Sequence, residues 1–476
     1  MFPLREDLIR VAPELVACAF GILIMILEPF LRRERKGALA TTGLLGTLLS
    51  LGAAVWAAQL PGTAFHELIR VDSFSLFLRG LVFGIAALVI LGSRDYLDRE
   101  NVQQGEYYAL VLFGAAGMSV MAGANELLTV FLGLEASSLS TYILASFRRN
   151  VLRSNEAAMK YFLLGSFATA FFLYGAAMVY GATGTTRLDL VGESVTNTAL
   201  LTLGLGLVFV GLAFKVATVP FHVWTPDVYE GAPAPVTALL SSGPKAAAFA
   251  VLLRVYATVL EASELWFWAI WISAVLTMFV GNLAALVQTN VKRMLAYSSI
   301  AHAGYVLVAF AARNEPGIAA VLFYLVAYAL MKIGAFTTVA FLSDRGEQRL
   351  TLADYAGLGQ RKPIAAALLS LYLLSLLGLP ATAGFLGKFY VFQAALDSRL
   401  VWLAVLMAIN TAIGAYYYLR VIIAMYFEEP REPRTPAQLT PGVSLVLLLT
   451  AAGTLVLGVF PKPVMSLAIQ AVSSFR

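Results

Sequence analysis

The chain reads Phe214-Lys215-Val216-Ala217-Thr218-Val219-Pro220-Phe221-His222 within one long apolar stretch and Leu376-Leu377-Gly378-Leu379-Pro380-Ala381-Thr382-Ala383-Gly384 within another. Each stretch is too long for one straight helix across a bilayer. Proline also removes a backbone donor and clashes with the preceding helical turn. Each stretch is therefore predicted to form two half-helices with an unwound segment between them.

The composition places these stretches in a membrane. Of the 476 residues, 60% are hydrophobic and 13% are charged, and the mean hydropathy is +0.80, whereas a soluble domain carries about 25% charged residues. Runs long enough to cross a hydrocarbon core of about 30 Å recur along the whole chain. We predict fourteen spans, at 11–31, 38–60, 74–93, 105–123, 126–147, 156–181, 199–226, 232–257, 265–289, 293–312, 316–342, 364–395, 400–427 and 441–460.

The two broken stretches indicate an internal repeat. Pro220 and Pro380 lie 160 residues apart, and the pair Tyr161-Phe162 lies 162 residues before Phe323-Tyr324. This nearly constant offset predicts two units of five spans each, spans 4–8 and spans 9–13. Because five is odd, the second unit enters the membrane from the opposite side, which gives the inverted repeats with discontinuous helices of many transporters.

We therefore expect an all-α integral membrane fold in four parts. Residues 1–104 form three N-terminal spans, 105–260 the first repeat unit, 261–430 the second, inverted unit, and 431–476 the last span and a tail. Seventeen loop lysines and arginines fall on one side of this arrangement and eight on the other. Because basic loops remain in the cytoplasm, both termini are predicted to face outward.

The sequence offers little for redox or metal chemistry. One cysteine, Cys18, excludes an internal disulfide and cannot hold an iron–sulfur cluster. The three histidines are too dispersed for a metal-ligand cluster, and no phosphate-binding glycine motif is present. Any redox step is therefore expected in another subunit. The net charge of +5 indicates membrane topology, not nucleic-acid binding.

The informative positions are ionisable residues inside the predicted spans, because each costs several kcal/mol at the bilayer centre unless it is paired or hydrated. They are Glu135, Lys215, Lys245, His302, Lys332 and Lys388. A buried lysine releases its proton readily, and a nearby carboxylate opposes that release. A Lys–Glu pair with a changing separation is therefore a proton switch, and the residues together favour a transport role.

Structural interpretations remain open for single residues. Lys332 alone is equally well a structural hydrogen-bond donor, and His302 alone is more typical of a hydrogen-bonded core histidine. Arg254 lies near a predicted span end and is expected to extend to the interface. Glu14 and Glu28 are interpreted as interfacial or paired with another subunit, and Arg79 has no assigned role.

Several motifs resemble one protein family. They are Lys215-Val-Ala-Thr-Val-Pro220-Phe-His222-Val-Trp224-Thr-Pro226-Asp227-Val-Tyr229-Glu230-Gly231-Ala-Pro233, its continuation through Gly243-Pro244-Lys245, Tyr297-Ser298-Ser299-Ile-Ala-His302, and Gly384-Phe385-Leu-Gly387-Lys388. Together they are similar to the antiporter-like subunits of proton-pumping NADH:quinone oxidoreductase (respiratory complex I). The Val-Tyr-Glu-Gly-Ala-Pro continuation after Asp227 resembles the subunit N family specifically, and the resemblance covers nearly the whole chain.

The resemblance implies a role for each buried residue. Glu135 matches the fifth-span partner of the seventh-span lysine, which is Lys215. Lys245 matches the eighth-span lysine of the connecting axis, and His302 matches the relay histidine. Lys388 matches the terminal lysine of the second half-channel. Lys332 departs from the family pattern, and either extends the axis or alters the proton affinity of its neighbours.

The resemblance also implies the setting. No cofactor is expected in this chain, while FMN, iron–sulfur clusters, NADH and quinone are expected in other subunits. The partners would be neighbouring antiporter-like and small membrane-arm subunits, in a bacterial inner membrane. The open alternatives are a subunit of a multi-subunit cation/proton antiporter or membrane-bound hydrogenase, a self-sufficient transporter of an organic substrate, and a purely structural membrane subunit.

Overall fold

The computed structural model describes residues 5–32, 35–259, 264–348, 350–430 and 439–474. Five of the basic residues counted for the orientation lie outside the described residues, namely Arg33, Arg349, Arg431, Arg434 and Arg476. The expected boundary between the repeat units at 260 and 261, and residues 431–438 of the expected C-terminal part, also lie outside them.

The described part of the chain is almost entirely helical. Its α-helices are α1 (Arg5–Arg10), α2 (Ala12–Leu27), α3 (Ala38–Ala57), α4 (Ser73–Arg99), α5 (Gly105–Gly123), α6 (Leu127–Ala145), α7 (Leu152–Thr183), α8 (Leu188–Val191), α9 (Thr198–Val216), α10 (Trp224–Gly231), α11 (Ala234–Val259), α12 (Glu264–Leu286), α13 (Val291–Ala311), α14 (Glu315–Leu342), α15 (Leu358–Arg361), α16 (Pro363–Leu377), α17 (Ala383–Asp397), α18 (Val401–Phe427), α19 (Pro441–Val459) and α20 (Lys462–Ser473). Short 3₁₀ helices lie at Glu28–Phe30 and Leu352–Tyr355. Strands β1 (Gly62–Ala64) and β2 (Ile69–Val71) form an antiparallel hairpin.

The membrane architecture confirms the predicted fold. Among the described residues, thirteen helices are long and apolar enough to cross a membrane. The shorter α16 and α17 together make one further crossing, which corresponds to predicted span twelve. Each predicted span overlaps a helix or a pair of half-helices, and both predicted breaks are present, at 217–223 and at 378–382.

Successive crossings place the two repeat units in opposite orientations. The loops 100–104, 146–151 and 343–348 lie at one face of the membrane region, which we call the Glu347 face, and helix α5 starts there. Helix α12 starts at the other face, with the loops 124–126 and 312–314, which we call the Asp72 face. The first unit is α5 to α11 and the second is α12 to α18, with one broken span in each.

The first break is stabilised by capping of exposed backbone groups. Ala217 adopts a left-handed conformation (φ 63°) that ends α9. The indole of Trp224, the first residue of α10, donates to the Phe214 carbonyl at 2.9 Å, and the Val219 amide donates to the Thr277 hydroxyl at 3.0 Å. Backbone groups that the unwound segment removes from the helix therefore find partners inside the protein, as a membrane interior requires.

The second break uses a glycine and a lysine. Gly378 has φ of 98°, a conformation that favours glycine, and ends α16. The Gly384 amide at the start of α17 donates to the Ser375 hydroxyl at 3.1 Å. The Lys388 ammonium donates to the Leu377 carbonyl at 2.9 Å. A cation next to the last carbonyls of a helix is favoured by the helix dipole, so this break supplies an acceptor to a functional candidate.

Two buried arginines near the Asp72 face have partners within the chain. Arg79 forms an ion pair with Glu14 at 3.0 Å, so Glu14 has its partner in this chain and the alternative that it pairs with another subunit is wrong. Arg254 is buried and pairs with Asp72 at 2.8 Å. The expectation that Arg254 extends to the interface is therefore wrong, because Asp72, the N-cap of α4, provides an internal counter-charge.

Close packing at the second break gives a stability prediction. A Cβ at Gly384 would lie 1.8 Å from the Ser375 carbonyl oxygen, whereas one at Gly52 in α3 would meet nothing within 4 Å. We expect Gly384→Ala to destabilise the protein by about 1–3 kcal/mol or more, because backbone must move to admit the methyl group. Gly52→Ala should be neutral or slightly stabilising. Thermal inactivation of the detergent-solubilised protein measures both, and equal midpoints would contradict the packing described.

Candidate functional site

Lys215 lies in an aromatic cage at the end of α9. Its ammonium group is 3.5 Å from the Tyr161 hydroxyl and lies 5.1 and 5.2 Å from the ring centres of Tyr161 and Tyr142. Glu135 is half-buried on the neighbouring helix α6 and does not form a direct ion pair with Lys215. The Tyr142 hydroxyl, on the same face of α6 as Glu135, is buried without a hydrogen-bond partner.

Lys245 lies in the middle of the fully buried part of α11, directly after a proline. Pro244 has no amide hydrogen, so the Leu240 carbonyl loses its usual helical donor, and the Tyr229 hydroxyl donates to this carbonyl at 3.0 Å. The Lys245 ammonium donates to the carbonyl and the hydroxyl of Ser299 on α13, at 2.7 and 2.8 Å. This contact joins the first repeat unit to the second.

His302 lies at the centre of a hydrogen-bonded chain in the second unit. Its Nδ1 is 2.7 Å from the Tyr324 hydroxyl and its Nε2 is 3.1 Å from the Tyr418 hydroxyl. Tyr418 lies 2.5 Å from the Ser298 hydroxyl, which accepts a hydrogen bond from Lys332 at 3.0 Å. We call Lys332, Ser298, Tyr418, His302 and Tyr324 the histidine chain.

The histidine chain and Lys245 meet at a small cavity. The Ser299 hydroxyl that binds Lys245 is also 2.5 Å from the Tyr328 hydroxyl. Lys245, Tyr328 and His302 line one cavity of about 10 Å³. The rest of its lining is mostly apolar and includes Phe249, Val306 and Leu325. The two hydrogen-bonded groups therefore face each other across a small, mostly apolar gap.

Lys388 approaches the histidine chain without a hydrogen bond to it. Its ammonium lies 4.7 Å from the ring centre of Tyr305, a favourable cation–π distance. The Tyr305 ring in turn packs edge-on against His302, with 5.4 Å between centroids. The Tyr305 hydroxyl accepts from Asn282 at 3.1 Å. Tyr305 thus stands between the lysine of the second break and the histidine.

The structure brings some predicted site residues together and leaves others apart. Lys245, His302 and Lys332 belong to one polar centre. Glu135 and Lys215 lie at a second site, next to the first break. The Tyr305 ring separates Lys388 from His302. Of the hydroxyl groups that connect these residues, those of Ser298 and Ser299 belong to the sequence motif that includes His302, whereas those of Tyr324, Tyr328 and Tyr418 were not singled out from the sequence. Their sequence signal is weak, since buried tyrosines are common in this chain.

A second polar cluster lies at the Glu347 face and was not predicted from the sequence. The buried Glu347 carboxylate accepts from the Tyr96 hydroxyl and the Ala234 amide, both at 2.6 Å. Its other oxygen accepts from Lys292 at 2.6 Å and from Arg148 at 3.4 Å. Burial raises the pKa of the Glu347 carboxyl, but Lys292 and Arg148 lower it by more, so the pKa lies below its ordinary value of 4.5.

Comparisons with known proteins agree with this architecture. A family model described as "NADH:quinone oxidoreductase/Mrp antiporter, TM" matches residues 124–414. NADH-quinone oxidoreductase subunit N 1 of Solibacter usitatus is 46% identical, over 99% of this chain and 98% of its own. Subunit N 2 of Koribacter versatilis is 50% identical, over 98% of this chain and 96% of its own.

Solved structures share the fold. A chain of respiratory complex I from Thermus thermophilus is 38% identical, with a TM-score of 0.82 over 95% of this chain and 98% of that chain. A chain of an archaeal membrane-bound sulfane sulfur reductase is 26% identical, with a TM-score of 0.87 over 98% of this chain and 97% of that chain. A chain of the Mrp complex from Dietzia sp. reaches 0.87 at 21% identity, over 98% and 97%, which shows the fold alone.

The fold and the buried side chains define a membrane protein of two inverted five-span units, each with a broken helix. The chain belongs to the NADH:quinone oxidoreductase/Mrp antiporter family, and within it to the NADH-quinone oxidoreductase subunit N family.

The low pKa of Glu347 predicts acid sensitivity. A carboxyl whose folded pKa is depressed stabilises the protein above its unfolded pKa, and this contribution is lost as the pH falls through the folded value. Wild type should therefore exceed Glu347→Gln in stability by about 3–5 kcal/mol near neutral pH, and the difference should shrink below pH 4.5. Thermal unfolding at pH 7 and pH 4 measures it.

An exposed carboxylate provides the control for acid sensitivity. Glu67 pairs with Arg187 at the surface, and exposed ion pairs contribute about 0–1 kcal/mol. Glu67→Gln should therefore match wild type within this range at both pH values. A Glu347→Gln deficit that is the same at pH 7 and pH 4 would contradict the assignment of a depressed pKa to Glu347.

Proposed function

We propose that this chain translocates protons as a membrane-arm subunit of NADH:quinone oxidoreductase. NADH-to-quinone electron transfer would take place in other subunits, and the chain would move protons in response. Glu135 and Lys215 would form the switch at the first break, Lys245 and His302 the connection, and Lys388 the release site at the second break. The family membership and the hydrogen-bonded arrangement of these residues support this proposal.

One observation carries the proposal, namely the histidine chain and its approach to Lys245. Four side chains in succession are linked at 2.5–3.1 Å, from Ser298 through Tyr418 and His302 to Tyr324. Each of these groups can both donate and accept a hydrogen bond. A purely structural core would not need a continuous row of groups that exchange protons.

The chemistry of a transfer follows from the donor and acceptor roles. If the Tyr324 hydroxyl donates to Nδ1 of His302, Nε2 carries the hydrogen and donates to Tyr418. A proton given to the Tyr324 hydroxyl lets that hydroxyl pass its own hydrogen to Nδ1, and Nε2 then passes its hydrogen to Tyr418, so that one proton enters the imidazole as another leaves it. Lys245 would supply the entering proton, and Lys388, whose ammonium lies 4.7 Å from the Tyr305 ring centre, would be the release site. A positive charge on Lys245 or Lys332 disfavours a second charge on His302, which orders the steps.

The setting of the chain is part of the proposal. The excess of basic loop residues supports a bacterial inner-membrane protein with the Glu347 face in the cytoplasm and both termini outside. The chain would act as a non-redox translocase subunit and would bind no cofactor itself. FMN, iron–sulfur clusters, NADH and quinone would be bound by its partner subunits.

A second candidate is a subunit of a cation/proton antiporter or a hydrogenase-like complex. The TM-score of 0.87 to the sulfane sulfur reductase chain and the family description, which also names the Mrp antiporter, favour it. The identities of 46% and 50% to subunit N proteins favour the first candidate. Identification of the chains that co-purify in mild detergent decides between them, because a flavin and iron–sulfur arm is specific to the first.

Replacement of Lys215 tests the proposed switch. Lys215→Met keeps the length of the side chain but cannot carry a proton. We expect the assembled complex to retain NADH:quinone electron transfer and to translocate fewer protons per electron in sealed vesicles. Lys36→Met is the control, because Lys36 pairs with Glu28 away from the proposed path. An unchanged ratio in the Lys215 variant would remove Lys215 from the mechanism.

Replacement of one hydroxyl tests the continuity of the histidine chain. Tyr418→Phe leaves both His302 and Ser298 without their shared partner. A relay group contributes about 10²–10⁴-fold to a proton-transfer rate, so proton translocation should fall steeply while the complex still assembles. Tyr372→Phe is the matched control, because its buried hydroxyl bonds to Leu447 and Thr450 outside the path. Equal effects of the two variants would contradict the relay.

A further inference from the structure

The Glu347 carboxylate joins parts of the molecule that are far apart in sequence. Its Oε1 accepts from Tyr96 on α4 and from the amide of Ala234, the first residue of α11. Its Oε2 accepts from Lys292, the second residue of α13. One carboxylate in the loop after α14 therefore holds the N-terminal spans, the first repeat unit and the second repeat unit at a single point.

Lys292 strengthens the same junction from the other side. Besides Glu347, its ammonium donates to the Glu230 carbonyl at 3.2 Å and to the Ala232 carbonyl. These carbonyls lie at the corner between α10, the second half of the first broken span, and α11. The adjacent Arg293 binds the carboxylates of Asp227 and Glu230 on α10 at 2.7 and 2.8 Å. The first turn of α13 thus binds α10, the half-helix that follows the first break.

Glu347 binds the first turns of α11 and α13. The same two helices carry Lys245 and Ser299, whose hydrogen bonds join the two repeat units. Lys245 lies eleven residues after Ala234 on α11, and Ser299 lies seven residues after Lys292 on α13. At 1.5 Å per residue these distances are about 16 Å and 10 Å along the helix axes. A shift of the α13 end at Glu347 is therefore passed along that helix to Ser299. A shift of the α11 end reaches Lys245 through the turn at Pro244, where the Tyr229 hydroxyl holds the Leu240 carbonyl.

We propose that Glu347 is a positioning residue for proton transfer between the repeat units, because it fixes α11 and α13 at the separation that lets Lys245 reach Ser299. Hydrogen bonds weaken steeply with small changes in distance and angle, so the Lys245–Ser299 bonds of 2.7 and 2.8 Å depend on this separation. The inference rests on the proposed function, since it concerns transfer along the same path. It assigns to Glu347 no proton of its own to carry.

Two conservative variants separate this role from a general contribution to stability. Both remove one hydrogen bond of 2.6 Å to the same oxygen, Oε1 of Glu347. Ala234→Pro deletes the amide donor of α11, and proline is tolerated in the first turn of a helix. Tyr96→Phe deletes the hydroxyl donor of α4, which carries none of the path residues. Neither variant alters a charge.

The measurement is protons translocated per electron by the whole complex in sealed vesicles, with Lys245→Met as the reference for a broken path. We expect Ala234→Pro to lower the ratio toward that of Lys245→Met, and Tyr96→Phe to keep the wild-type ratio. Glu347→Gln should lower the ratio at least as far as Ala234→Pro, and if Glu347→Gln does not assemble, Ala234→Pro decides.

Two results would overturn the inference alone. One is a wild-type number of protons per electron in Ala234→Pro while Lys245→Met is impaired. Proton transfer would then not depend on the bond between Glu347 and the start of α11. The other is an equal loss in Tyr96→Phe and Ala234→Pro, because the carboxylate would then act through stability only. An unchanged ratio in Lys245→Met itself would overturn the proposed function, and the inference with it.

Discussion

A buried ammonium group must find its hydrogen-bond acceptors inside the protein, because the hydrocarbon core offers none. Three lysines of this chain meet the requirement in the same way, with a backbone carbonyl as one acceptor. Lys245 uses Ser299, Lys332 uses the Leu295 carbonyl and Lys388 the Leu377 carbonyl, at 2.7–2.9 Å. A carbonyl stabilises the charged lysine less firmly than a carboxylate would, so the proton is held but can still leave.

The broken helices follow from the same constraint. An intact helix uses each interior carbonyl for its own backbone, and a break leaves several of them without a helical donor. At the second break a lysine takes one such carbonyl, and at the first break the Trp224 indole does so. Lys215 therefore has no carbonyl acceptor among the described residues, and its ammonium group lies next to the rings of Tyr161 and Tyr142. The two breaks are thus similar in fold and different in how the lysine next to each is held.

Local signals in the sequence predicted the membrane fold and both breaks, and the roles of the candidate site residues stay predictions. Pro220, Pro380 and the buried lysines stand out against an apolar background, so the breaks and the candidate residues could be identified. The hydrogen bonds between the candidate residues could not be predicted from the sequence. Tyr418 lies 116 residues from His302, and only the packing of α18 on α13 brings the two together. Arg254 was misplaced for the same reason, since its partner Asp72 is 182 residues away.

In the proposed path, protons pass between the repeat units through the imidazole of His302. The most direct test is proton translocation by the complex reconstituted in sealed vesicles, with electron transfer recorded in the same sample, for wild type and His302→Leu. The leucine fills a similar space and has neither ring nitrogen. We expect retained electron transfer with fewer protons translocated per electron. An unchanged ratio in an assembled His302→Leu complex would contradict it.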